Sequence, residues 1–165
     1  MTTLPISVCR VHTEEGPKDY FTCLSPERVF ARGLPREAVI GVLLRPLAPG
    51  EAITPAVFAR NRVFVDFMHD VIARRCPQLA GFIAEARRQG QGCVFVIDQR
   101  TGTPQAAVPP QDIVGGFQIQ NGTVVPDSYL PNPNHMVLSL DGFFQLGPEL
   151  EPCLMEELVN LAGER

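Results

Sequence analysis

The chain has 165 residues, 45% of them hydrophobic and 19% charged, which suits one domain (1–165) with a substantial core and excludes a disordered composition. The net charge of −4 and a pI near 5.3 argue against a general nucleic-acid binder, which needs a basic surface to gain from counterion release. No apolar run approaches the roughly 20 residues needed to span a bilayer, so no membrane helix is expected.

Residues 5–12, PISVCRVH, alternate in polarity and predict a first strand. Glu14-Glu15-Gly16-Pro17 should break it, and Tyr20 to Leu24, rich in aromatic and β-branched residues, should pair with it. Ser25-Pro26 reads as a helix start, with Ser25 as N-cap, and Gly33 as its end. Residues 38–44, AVIGVLL, form a continuous apolar run whose length fits a strand buried on both faces. The stretch RPLAPGEAITP (45–55) holds three prolines and a glycine and predicts a surface loop.

Thr54-Pro55 or Asn61 opens the longest helix candidate, running to Cys76. Phe64, Phe67, Met68, Val71 and Ile72 recur at helical spacing and form one wide apolar stripe. Pro77 ends this helix and starts a second, marked by Leu79, Phe82, Ile83 and Ala86 and stopped at Gly90. The paired arginines 74–75 and 87–88 read as solvated helix faces.

The C-terminal half predicts a β-meander. Residues 93–98 are its first strand, and 99–111, with three prolines, is a long connection and a candidate functional loop. Residues 113–120 and 123–128 should form a hairpin around Asn121-Gly122. Residues 136–140 and 143–146 should form another around Asp141-Gly142, since both dipeptides tolerate the positive φ of a type I′ turn. Gly115-Gly116 suggests a bulge or a place where another backbone or a ligand comes close. Pro148 opens a last helix with Leu150, Leu154, Leu158 and Leu161 on one face. The expected architecture is α+β: a mainly antiparallel sheet of five to seven strands, with the 61–89 helix pair and the C-terminal helix on one face.

The five cysteines are odd in number and lack a CxxC pair, so reduced, mostly buried thiols are expected. The N-terminus has no basic segment leading into a long apolar core, and a cytoplasmic location is expected. The three histidines, His12, His69 and His135, form no HxxxH or HExxH pair, so no metal site is called for. His69 lies at the edge of the apolar stripe and reads as interfacial. No glycine-rich phosphate loop appears and no cofactor is implied. Cys76 lies at a helix C-terminus, which disfavours its thiolate, and Cys93 begins a core strand. Ser128 and Ser139 lack a nucleophile elbow.

One polar constellation stands out. Asp98, Gln99 and Arg100 follow the 93–98 strand, while Asn132, Asn134 and His135 precede the 136–140 strand. If those strands are antiparallel neighbours, His135 approaches Asp98 or Arg100. A carboxylate can orient an imidazole for general-base work, making Asp98, Arg100 and His135 the candidate catalytic residues. Asn132, Asn134, His135 and Arg100 are the candidate binding residues. The plainer reading is a network that caps loops.

The run VFVIDQRTG (94–102) is similar to the VxVxDxxTG strand-and-turn of several small bacterial immunity-type and other α+β domains. The resemblance spans nine residues and transfers no function. Three functional readings follow. The first is a non-enzymatic cytoplasmic binding or regulatory domain, alone or as a homodimer, for an unknown protein partner or small ligand. The second is a hydrolase-like enzyme using Asp98, Arg100 and His135. The third is an immunity-type protein whose acidic balance faces a basic partner.

Overall fold

A computed structural model describes residues 4–100 and 107–163. The fold is α+β, with antiparallel strands and a C-terminal helix, as the patterning predicts. Among the described residues the strands number ten and fall into sheets of four, four and two.

The first sheet runs in the order β1 (Ser7–Thr13), β2 (Gly16–Thr22), β3 (Val39–Leu43), β4 (Phe58–Arg60), every pair antiparallel. β1 ends at Thr13, as the Glu14-Glu15-Gly16-Pro17 stretch predicts; the turn itself is Glu14-Glu15, and Gly16, at φ +108°, and Pro17 already begin β2. Pro17 is tolerated because the hairpin outruns β3, which pairs only with residues 20–22, so its missing N–H leaves no gap toward β3. α1 (Pro26–Arg32) starts and stops as expected, with Ser25 Oγ accepting the Arg28 N–H and Gly33 at φ +83°. β3 buries Ile40 and Gly41, while Leu44 beyond it is largely exposed. Gly41 has no room for a Cβ because the Phe58 ring lies over it. β4 was not apparent in the sequence, where its three residues sit between a proline loop and a helix cap.

α2 (Arg62–Arg75) is capped by Asn61, whose Oδ1 accepts the Val63 N–H at 3.2 Å. The same side chain donates to the Arg36 and Val39 carbonyls, each at 2.8 Å, and so ties the helix start to β3. Phe64, Met68, Val71 and Ile72 are buried and Phe67 is partly buried, which realises the apolar stripe. A single tight turn at 76–78 contains Pro77 and leads to α3 (Ala80–Gln89), which ends at Gly90 with φ +79°. The arginine pair 74–75 is not free surface: both guanidiniums bond Glu157, at 3.0 and 2.8 Å.

The second sheet contains β5 (Gly92–Ile97), β6 (Ile113–Gln120), β7 (Thr123–Val124) and β8 (Leu130–Pro131). β6 is central, with β5 on one side and β7 then β8 on the other. The Asn121-Gly122 turn has φ of 54° and 75°, the left-handed pair that a type I′ hairpin requires. β7 is shorter than the predicted 123–128 because Pro126 lacks an N–H and Asp127 turns to φ 58°. β9 (Leu138–Ser139) and β10 (Gly142–Phe143) form a separate ribbon. Ser139 lies opposite Gly142, so the reversal is made by Leu140 and Asp141, and Gly142, at φ +107°, is already on the return strand. The ring of Phe143 packs on Phe21 and Phe58 at centroid distances of 5.4 and 5.7 Å and holds the ribbon to the first sheet.

α4 (Leu150–Gly163) follows Pro148 and crosses α2. Leu150, Leu154 and Leu158 are buried; the fourth buried position is Ala162, four residues on, and Leu161 is only partly covered. One apolar cluster joins α2, α4 and both larger sheets.

Candidate functional site

The polar constellation forms where the end of β5, the start of β6 and the 132–146 segment meet. Asp98 continues β5, and its N–H bonds the Asp112 carbonyl at 2.7 Å. Asn132 N–H bonds the Val114 carbonyl at 3.0 Å and Met136 N–H bonds the Gln111 carbonyl at 3.2 Å, so the chain between them lies along the start of β6. His135 is carried inward there. Its Nε2 lies 2.9 Å from Asp98 Oδ2. The other carboxylate oxygen, Oδ1, accepts the N–H groups of Arg100 at 3.1 Å and Gln145 at 3.0 Å.

Arg100 closes the cluster with its planar fork. Nε donates to Asp112 Oδ1 at 2.8 Å, Nη1 to the Gly142 carbonyl at 3.0 Å, and Nη2 to the Gln111 carbonyl at 2.8 Å. Asp98 Oδ1 lies 3.6 Å from Nε as well. The side chains of Asp98, Arg100 and Asp112 have no solvent exposure, and His135 has 2%. One guanidinium thus serves two carboxylates and two carbonyls, in a region where an unpaired charge would cost several kcal/mol.

The structure therefore brings Asp98, Arg100 and His135 together, as the sequence predicts. Asp112 joins them; it stands before β6 in a proline-rich stretch with no periodic signal, and nothing in the sequence singles it out. Asn132 staples the neighbouring loop: Nδ2 donates to the Pro110 and Ile113 carbonyls at 2.9 and 2.8 Å, and Oδ1 accepts the Asn134 N–H at 3.1 Å. Asn134 itself is exposed. Of the candidate functional loop 99–111 and the VFVIDQRTG run, residues 101–106 lie outside the described residues.

A second polar contact lies beside the first. Tyr129 Oη and His69 Nδ1 are hydrogen-bonded at 2.7 Å. His69 is partly buried at the edge of the α2 stripe, and burial, with the nearby His135 as a lesser cause, lowers its pKa to about 4. Burial also raises the Tyr129 phenol above its ordinary value. Gly115 lets the Tyr129 ring approach: a Cβ there would stand 2.5 Å from Oη. The close neighbour is a side chain rather than the backbone or ligand that the glycine pair suggests, while the expected bulge falls at Val114, next to Gly115.

Other candidate nucleophiles have structural work. The Cys23 and Cys76 thiols are pushed up to about 12 by burial, far from thiolate character at neutral pH. Ser128 Oγ accepts the Gln118 N–H and Ser139 Oγ the Asp141 N–H, each at 3.1 Å. Among the described residues no three His, Cys, Asp or Glu side chains are placed to hold a metal ion. Nor is any helix there long and apolar enough to cross a membrane.

Several cavities open elsewhere, among them one of about 590 Å³ between α2 and the 124–129 segment. A second, of about 570 Å³, lies on the first sheet among Val11, Tyr20, Leu34 and Val42. Another, of about 510 Å³, runs beside β5. Comparison of the chain with protein-family models, with curated proteins and with solved structures found no match.

Proposed function

We propose that this protein is a non-catalytic cytoplasmic binding domain in which Asp98, Arg100, Asp112 and His135 act as an internal lock. The observation that carries this reading is closure. A general base needs a proton to take from a substrate within about 3 Å, whereas the Asp98 oxygens and the Arg100 donors are spent on the protein's own groups, out of solvent. What the lock holds in place is the surface around it, and recognition falls to that surface. The cytoplasmic assignment draws on the five free cysteines, three of them buried.

The test is a comparison of wild type with His135→Ala on chromogenic ester, amide and phosphoester substrates, alongside thermal melts. We expect no turnover above buffer for wild type and a melting point lowered by several degrees for the variant. Turnover that disappears in His135→Ala while the melting point is unchanged would overturn the reading.

A further inference from the structure

We infer that the outer edge of β5 is a docking edge for an extended, basic peptide, which adds to the second sheet as a further strand. The inference rests on the reading that the chain binds rather than catalyses, and it supplies the class of partner.

β5 has β6 as its one strand partner among the described residues. Backbone groups along an antiparallel strand face alternate sides. Gln118, opposite Cys93, gives its carbonyl to Val125 on the far side of β6, so Cys93, and with it Phe95 and Ile97, directs its N–H and C=O outward. The two ends of this outer edge are taken. Gln89 Nε2 donates to the Cys93 carbonyl at 2.8 Å, and Gln99 N–H donates to the Gln145 carbonyl at 2.8 Å. Between them, the donors and acceptors of Phe95 and Ile97 face the groove beside β5.

Sheet proteins usually blunt an open edge with lysine, proline or an outward bulge. β5, Gly-Cys-Val-Phe-Val-Ile, carries no charge and no proline, and the bulge in this ladder falls on the β6 side, at Val114. The edge is recessed instead. Phe82 and Glu85 of α3 form one wall and the 146–150 segment forms the other. A second copy presents the same recessed edge, and two recessed edges cannot meet. A single extended strand can enter, because its backbone repeats about every 6.8 Å over two residues, the spacing of Phe95 and Ile97.

The lining selects the side chains. Among the described residues its only charged side chains are Glu85 and Glu149. Arg88 donates to both Glu85 oxygens, so a peptide cation at Glu85 competes with Arg88, while Glu149 accepts the Gly81 N–H at the rim. A lysine of the peptide can lay its stem on Phe82 and place its ammonium at these carboxylates. Alternate residues fall on the other sheet face, where Phe95 is 56% and Leu130 74% exposed. An alternating basic and apolar strand fits both faces.

The probe is a synthetic hexapeptide of alternating lysine and valine, followed by amide NMR and hydrogen exchange on the ¹⁵N-labelled protein. We expect the Phe95 and Ile97 amides to shift and their exchange to slow by about tenfold or more. An alternating glutamate–valine peptide, or the lysine peptide N-methylated at alternate amides, should give neither effect. Phe95→Pro removes an outward N–H while leaving the β6 ladder intact; it should abolish binding while Val94 and Val96 stay protected. Glu85→Lys, on an exposed side chain, should weaken binding at least about threefold. Unchanged Phe95 and Ile97 amides at about 1 mM peptide, the weak end of useful affinity, would overturn the inference. Equal binding of the N-methylated peptide would do the same. Peptide shifts confined to the Val11–Tyr20 cavity would sink this groove and leave the binding reading standing, whereas that reading falls only on the turnover assay.

Discussion

His135 and Asp98, 37 residues apart, meet through Nε2 and Oδ2 at 2.9 Å with neither side chain appreciably exposed. The contact belongs to a network that Arg100 completes, and the network's cost structure makes a sharp prediction about that arginine. Arg100→Lys keeps the charge but loses the planar fork that reaches Asp112 and two carbonyls at once. Arg100→Met leaves Asp98 and Asp112 buried without their cation. We expect about 1–3 kcal/mol of destabilisation for the lysine variant and about 3–5 kcal/mol for the methionine variant, measured by urea denaturation. A methionine variant as stable as wild type would show that the two carboxylates need no counter-charge.

His69 predicts a pH dependence. Its pKa is about 4 in the folded protein against an ordinary 6.5. Above about pH 7 both states carry it neutral and it has no effect. Between pH 6.5 and about 4 the unfolded chain takes up a proton that the folded form refuses, so this residue makes stability fall as pH falls through that window. The imidazole is partly exposed, so the loss is on the order of 1 kcal/mol. His69→Gln lacks the titration, and the gap between wild-type and variant stabilities should shift across pH 7 to 4 and be constant above it.

Gly115→Ala tests the Tyr129 contact. The new methyl would stand 2.5 Å from Tyr129 Oη and must push the ring away from both β6 and His69. The expected cost is about 1–3 kcal/mol, read as a lower midpoint in denaturant. Gly115→Ala combined with Tyr129→Ala should recover part of that loss, because the clash partner is gone.

Much of the architecture was legible because it rests on local rules. Ser25 and Asn61 as caps, Gly33 and Gly90 as stops, and the Asn121-Gly122 turn each depend on one residue's backbone or side-chain chemistry. The meeting of Asp98 with His135 was legible too, but by a different route from the one expected. The 136–140 segment is not paired with β5; His135 reaches Asp98 because Asn132 and Met136 bond the backbone at the start of β6. The second hairpin shifts by one residue for an equally local reason, since Gly142 serves the return strand as well as Asp141-Gly142 would have served the turn. The burial of the cluster was not legible. It requires residues 98–100, 111–112, 135, 142 and 145 to close on one point, and no window of sequence contains that information. β4 was hidden for the complementary reason, being too short to show a period.

The reach of the Arg100 fork has a consequence for the order in which the chain is made. When synthesis has delivered β5 and β6, the guanidinium and both aspartates exist, but the Gly142 carbonyl, the Gln145 amide and the His135 ring do not. An emerging polypeptide therefore holds this region solvated and unsettled until Gln145 has been added, a late-committing segment in the sense that distant contacts close after near ones. Closure of this cluster should accordingly register as a step later than the pairing of β5 with β6.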